Sequence, residues 1–276
     1  SLMEHFFSNI ISRILYTISA VWMGLMFFLL SSFLIYEILK YFEKFNNKTF
    51  GIIIIGIAVF LTLISIISWF FLVTKTVEVP FEGIEEEINI VQLTDIHIGT
   101  IQNSGYMKKI VEKTNALNPE MVFITGDLVD GAGVFHDSVY EQLNRFNAPT
   151  YFITGNHEIY EGLNITKDLV KKTKIKILDN QVETINGIQI IGLSDPGNQR
   201  DHISLDKVKF DKNQPTILLR HQPARVDEAA KAGIDLQLSG HTHNGQIIPF
   251  NFIVRGFWKY TKGLYKVDDM YLYVSP

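Results

Sequence analysis

The pattern of apolar and polar positions changes part-way along the chain. Residues 14–36 and 50–73 are apolar runs without a charged side chain, each long enough at about 1.5 Å per residue to cross a hydrocarbon layer of roughly 30 Å. They predict two transmembrane helices behind an N-terminal tail, residues 1–13. A cleaved signal peptide has a shorter apolar stretch and a small-residue cleavage site, which these runs do not match. A buried hairpin of a soluble domain is the bland alternative, and Trp22 and Trp69 fit either. Residues 74–87 (TKTVEVPFEGIEEE) read as a linker, with a Pro, a Gly and an acidic run.

Past the linker the apolar runs shorten and alternate with amphipathic ones. Residues 88–94, 121–125, 151–154, 188–193 and 234–239 read as buried strands. Residues 104–117, with Ser104 as N-cap, 137–146 and 164–172 read as helices. This alternation predicts βαβ units and a largely parallel sheet. Further β signals follow at 216–221 and 270–274. The expectation is an N-terminal transmembrane α-hairpin plus an α/β domain over residues 88–276.

Composition narrows this picture. The hydrophobic share of 47% and the mean hydropathy of +0.14 are raised by the two apolar runs, and the remaining stretch of about 190 residues suffices for one domain. A net charge of −4 supplies no basic footprint, so no nucleic-acid partner is expected. With no cysteine, disulfides and thiol chemistry are excluded. Lys40, Lys44 and Lys48 crowd the loop between the runs, whereas Arg13 precedes the first and Lys75 follows the second. By the positive-inside rule the loop is cytoplasmic and the domain extracytoplasmic, with the lipid bilayer as a partner.

The candidate chemistry lies in separated polar segments: Asp95-Ile96-His97, Gly126-Asp127-Leu128-Val129-Asp130, Gly155-Asn156-His157-Glu158, His221, and Gly240-His241-Thr242-His243. Each follows a predicted strand, and open α/β sheets collect their sites at such ends. Asp, Asn and His supply oxygen and nitrogen donors without a thiolate, a set suited to Mn, Fe or Zn. Two such cations roughly 3.5 to 4 Å apart generate a hydroxide near neutral pH and hold both oxygens of an in-line displacement at phosphorus, with one carboxylate shared between them. Asp95 and His97 are two apart, as are His241 and His243; on an extended backbone each pair projects to one side. Gly126 and Gly155 permit sharp turns and close backbone approach. Singly, each segment is equally a strand end, a turn or a core histidine. Their conjunction in this order is what points to a metal site.

In that order the segments resemble the calcineurin-like metallophosphoesterase superfamily, in its membrane-anchored bacterial-type branch, whose pattern runs D-x-H, GD-x-x-D, GNH-[DE], an isolated His and GH-x-H. The resemblance covers about residue 88 to the C-terminus and implies a βαβαβ sandwich of two sheets flanked by helices. It implies that Asp95, His97 and His243 hold one metal, that Asn156, His221 and His241 hold the other, and that Asp127 bridges them. His157 would protonate the leaving group or clamp the phosphate, with Asp130 and Glu158 orienting the ligands. Asn244-Gly245-Gln246 stands where many relatives carry Gly-Gly-Gln, so the turn after the ligands is expected to be tied by the Asn244 side chain. The chain ends at Val274-Ser275-Pro276, where membrane-linked members continue into a last strand, so a domain truncated at its C-terminus is expected.

Outside these blocks, Asp195 ends a strand-like run and either faces the cleft or serves a plain Asp-Pro turn. His5, His136 and His202 read as surface residues. Residues 250–265 mix Phe, Trp and Tyr with Arg255, Lys259 and Lys262, a composition that fits either an ordinary hairpin or a surface meeting lipid headgroups. The functional expectation is a membrane-anchored, binuclear-metal phosphoesterase acting on a phosphodiester, phosphomonoester or pyrophosphate, including lipid-linked or envelope substrates. Its rival is a non-catalytic phospho-ligand receptor or regulatory domain, which has no need of the whole donor set.

Overall fold

The computed structural model describes residues 10–42, 47–81, 83–84, 86–130, 137–197, 205–247 and 250–276; Lys44, His5, His136 and His202 lie outside them. The chain forms two compact units, Ser1–Thr76 and Val77–Pro276.

The first unit is a pair of helices, α1 (Ile10–Phe42) and α2 (Asn47–Trp69). Their contact is apolar: Phe28, Tyr36, Ile54 and Ala58 are buried, and the Tyr36 and Phe50 rings stack at 4.9 Å. Large side chains elsewhere face outward, Leu30 and Phe60 among them, an exterior suited to lipid rather than water. Polar side chains are satisfied internally, with Thr17, Thr62 and Ser65 donating to the Arg13, Ala58 and Leu61 carbonyls one turn back. α1 runs beyond the predicted span to take in Arg13, Glu37 and Lys40, whereas α2 stops at Trp69 rather than residue 73. There Phe70 and Phe71 donate to the Ile67 and Ser68 carbonyls, the tighter bonds that close a last turn.

The second unit is built on two sheets. One is parallel, in the order β1 (Ile90–Leu93), β2 (Met121–Thr125), β3 (Thr150–Ile153), β4 (Lys176–Ile177), with Ile90 opposite Met121 and Val122 opposite Thr150. The other comprises β5 (Gln181–Ile185), β6 (Ile188–Leu193), β7 (Thr216–Arg220), β8 (Leu236–Ser239), β9 (Gly263–Val267) and β10 (Met270–Val274) in the order β5-β6-β7-β8-β10-β9. Its four central strands are parallel and both edges antiparallel. β2 and β7 are buried at every position, which is why they read as unbroken apolar runs. One core joins the sheets: Phe123, Tyr151 and Ile153 meet Ile190, Leu219 and Leu238. The other lies on the far face of the larger sheet, where Leu218 and Leu272 pack with Val226 and Ala229. The arrangement is the expected α/β sandwich of two sheets flanked by helices.

The helices are α3 (Ser104–Ala116), α4 (Asp137–Leu143), α5 (Asn156–Glu161), α6 (Leu163–Lys171), α7 (Val226–Ala232) and α8 (Phe250–Phe257). α3 is capped by Asn103 rather than Ser104, the Asn103 side chain accepting from the Gly105 N–H. Val79, Phe81 and Ile84, within the stretch read as linker, pack against the inter-sheet core. Residues 250–265 are not a hairpin: helix α8 comes first and a strand begins only at Gly263.

Candidate metal centre

Parallel strands bring their C-terminal ends to one edge, and the predicted donors leave from there. Asp95 and His97 follow β1, Asp127 follows β2, Asn156 and His157 open α5 after β3, His221 follows β7, and His241 and His243 follow β8. The donor pairs do not converge along extended backbone as the two-residue spacing suggests. Asp95, His97, Asp127, His241 and His243 all have φ between 46° and 70°, in the left-handed region that costs of order 1 kcal/mol or more for such residues. Hydrogen bonds between the two loops hold this geometry: Asp95 and His97 N–H donate to the Gly126 and Asp127 carbonyls, at 3.1 and 3.0 Å. Space is as tight as the glycines imply. A Cβ on Gly126 would lie 2.5 Å from His221 Nδ1, and one on Gly155 would overlap Asp127 Oδ1.

Among the described residues three overlapping groups result. Atoms of Asp95, His97 and His243 lie within 4.8 Å of one another, as do atoms of Asp127, His221 and His241, and a third group joins His97 and Asp127 with His157. In the first, His243 Nε2 is 3.3 Å from both Asp95 Oδ1 and His97 Nε2. In the second, Asn156 Oδ1 is 2.8 Å from His241 Nδ1 and 3.2 Å from His221 Nε2. Asp127 Oδ2 stands between them, 3.1 Å from His221 Nε2 and 4.0 Å from His97 Nε2. Asp127 Oδ1 is committed elsewhere, accepting the His157 backbone N–H at 2.9 Å.

The tautomer of His221 shows what the second cluster lacks. Its Nδ1 lies 2.8 Å from the Thr125 carbonyl oxygen, which can only accept, so Nδ1 carries the proton and Nε2 of the neutral ring presents a lone pair. That lone pair faces Asp127 Oδ2 and Asn156 Oδ1, both acceptors, on a fully buried side chain. Converging acceptors require a proton or a cation between them. With a proton there, burial would lower His221, but the Asp127 carboxylate outweighs it and pushes the imidazole up to about 10. Asp127 responds in kind: burial opposes its charge, yet the His221 hydrogen bond and the His157 N–H hold it well below the ordinary carboxylate range. Burial, together with His221, pushes His241 down to about 4, and burial also lowers His97 against the pull of Asp127. His97 and His241, lowered by burial, and the ionised Asp127 carboxylate are already in the states metal binding requires, and at His221 a cation would take the place of the proton, so the donor set fits a divalent pair.

The acids around the clusters are tied into the frame. Glu158 is fully buried and its carboxylate accepts three backbone N–H groups, from Gly155 at 2.6 Å, Asp127 at 2.9 Å and Val129 at 3.2 Å. Burial and the Asp127 charge push its carboxyl up to about 7 against those donors. Asp130 Oδ1 lies 3.4 Å from His157 Nδ1. This contact raises His157 above its ordinary value against the effect of burial, and lowers Asp130. Asp195 is buried and its Oδ1 accepts the Gly197 N–H at 2.7 Å, which is a turn contact. Among the described residues Asn244 Oδ1 has no hydrogen-bond partner, while Thr242 Oγ1 accepts the Asn244 N–H and donates to the Thr261 carbonyl. What Asn contributes there is tolerance of φ 47°. Two aromatic neighbours escape motif reading: Trp258 meets the His241 ring edge-on at 5.1 Å, and Tyr160 meets His157 at 5.5 Å.

Comparison with known proteins bears on this geometry. The sequence pattern of the calcineurin-like phosphoesterase family matches residues 88–245, more than half of the chain. The chain belongs to this family. It is 39% identical over 210 residues to an uncharacterized metallophosphoesterase of Campylobacter jejuni, covering 73% of this chain and 56% of that protein. It is 34% identical over 228 residues to a bovine transmembrane protein with metallophosphoesterase domain, covering 73% of this chain and 51% of the relative. The chain thus spans about half the length of these relatives. Among solved structures, a dimetal phosphatase from Danio rerio aligns over 68% of this chain and 86% of its own, at 8% identity and a TM-score of 0.43. Calcineurin-like phosphoesterases are metal-dependent, and the His and Asp clusters described above supply candidate donors here.

Proposed function

We propose that the protein is a membrane-anchored phosphoester hydrolase with a binuclear metal centre. The observation that carries this reading is the position of Asp127 Oδ2 between two donor clusters, one of which turns the Nε2 of a fully buried histidine towards two acceptor oxygens. On this reading Asp95, His97 and His243 hold one cation, Asn156, His221 and His241 the other, and Asp127 bridges them. Two divalent cations, when bound, supply charge neutralisation and an activated water for an in-line displacement.

The chain's own residues do the rest. The Glu158 carboxylate fixes the Asp127 and Gly155 loops against each other through their N–H groups. His157 is set beside the clusters by the α5 N-terminus, and its contact with Asp130 raises its pKa, a direction that suits a proton donor to the leaving oxygen. The substrate is a phosphodiester, monoester or pyrophosphate on the face of the membrane to which the domain is delivered. Lysine placement favours the extracytoplasmic face, and with it a lipid or envelope phosphoester.

Purified full-length chain should hydrolyse a nitrophenyl phosphodiester or monoester, lose that activity on chelation, and regain it with Mn, Zn or Fe. Turnover untouched by chelation, or none of either ester with any of the metals, would overturn the assignment.

A further inference from the structure

Helix α8 is at odds with the unit around it. Phe250, Ile253, Val254 and Phe257 follow the i, i+3, i+4, i+7 spacing that gives a helix one apolar stripe, normally turned to a core. α3 and α6 obey this and bury Met107 and Ile110, and Leu169 and Val170. No residue of α8 is buried. Phe250 is 43%, Ile253 50% and Phe257 82% exposed, and Phe252 on another side is 63% exposed. Arg255 on the same helix and Lys259 and Lys262 just after it are exposed.

The position of α8 gives the stripe a meaning. The helix is seated on the turn that carries His243: a Cβ on Gly245 would lie 2.5 Å from the Asn251 nitrogen. Trp258, next in the chain, donates its backbone N–H to the Val254 carbonyl at 2.8 Å and sets its ring against His241. The apolar stripe is therefore fixed at the rim of the metal centre. The partner that fits it is lipid. The same chain carries two apolar helices long enough to cross a bilayer, and cations flanking aromatic side chains complement anionic headgroups above an acyl boundary.

We propose that α8 is a bilayer-docking helix, with Phe250, Ile253 and Phe257 entering the headgroup–acyl boundary of an anionic leaflet and Arg255, Lys259 and Lys262 meeting its phosphates. Such a helix lies in the interface plane with its apolar face about 5 to 10 Å deep. The metal centre then opens onto the lipid surface rather than the bulk solution. The inference rests on the membrane-anchored reading above.

The absence of cysteine makes the test direct. Single cysteines replace Phe257, Phe60 in α2 or exposed Asn213 in the full chain, each labelled with an environment-sensitive fluorophore and reconstituted in phosphatidylethanolamine–phosphatidylglycerol vesicles carrying spin-labelled quencher lipids. Docking predicts blue-shifted emission at 257 with a loss on quencher lipids comparable with that at 60, and almost none at 213. A Phe250→Asp change should return the 257 probe to the response seen at 213. Quenching at 60 but not at 257 would overturn docking and leave the anchor standing. Quenching at neither would overturn the anchored reading and the docking helix with it. Blue-shifted emission at 257 without lipid quenching would assign the stripe to a second copy or another protein, and so also overturn the proposal.

Discussion

Asp127 and His157 are neighbours with separable duties. Asp127 turns one oxygen to each task, Oδ2 towards the histidines and Oδ1 to the His157 N–H, so its loss should be felt in metal content as well as rate. His157 donates its backbone N–H to Asp127 Oδ1 and meets the His97 ring edge-on at 4.5 Å, and the proposed mechanism gives its side chain a proton rather than a metal. His157→Ala should keep the bound metal and lose about 10² to 10⁴-fold in turnover, least for esters with acidic leaving groups that need no proton. A leaving-group series on metal-analysed protein checks this; equal loss across the series would make His157 a phosphate clamp instead. That these Asp, Asn and His residues would gather at one edge was legible in the sequence, because such residues at strand ends have few other reasons to recur in that order. Backbone conformation was not. The positive φ of Asp95 and His97 is held by bonds to Gly126 and Asp127, about thirty positions away, and no local pattern encodes such a partner. Trp258 was hidden for the same reason, since its meeting with His241 depends on where α8 is seated.

At the scale of elements, the strands that position the donors were the most readable, because β2, β3, β7 and β8 are buried throughout and their runs are uninterrupted. The short pieces were not: β4 has two residues and α5 six, too few to show a period. α8 misled because an eight-residue stretch rich in Phe suits a strand by composition, and only its spacing speaks for a helix. The join between α6 and the β4–β5 turn offers an electrostatic test away from the metals. Lys167 donates to Asp179 at 2.5 Å and Ser194 Oγ donates at 2.6 Å. Burial opposes the Asp179 charge, but these bonds hold its carboxyl below the ordinary value. A depressed carboxylate contributes stability above its unfolded pKa and loses it as pH falls through the folded one. Asp179→Asn should therefore lower stability at neutral pH by about 1 kcal/mol or less, the pair being partly exposed. That gap should close only as pH falls below the ordinary carboxylate value and through the lowered folded one. Thermal unfolding across pH is the measurement, and a pH-independent gap would show that the pair is not ionic.

For the whole molecule, the structure divides the chain between Thr76 and Val77, inside the stretch that the sequence reads as a linker. The packing of Val79, Phe81 and Ile84 onto the core was not legible, because their short stretch is interrupted by Glu78, Pro80 and Gly83. Orientation across the membrane is a separate prediction from lysine placement. With single cysteines at Asn46 or Asn213, an impermeant thiol reagent on intact cells should label 213 and spare 46; the reverse would place the domain in the cytoplasm and redirect the substrate search to the inner leaflet. The central claim is that Asp127 joins two cations, and spin coupling reads that bridge. Full-length chain stripped by chelation is titrated with Mn(II) and followed by electron paramagnetic resonance. The account predicts an exchange-coupled signal saturating at two ions per chain, lost in Asp127→Ala together with hydrolysis. Uncoupled Mn(II), or a coupled pair that survives Asp127→Ala with turnover intact, would contradict it.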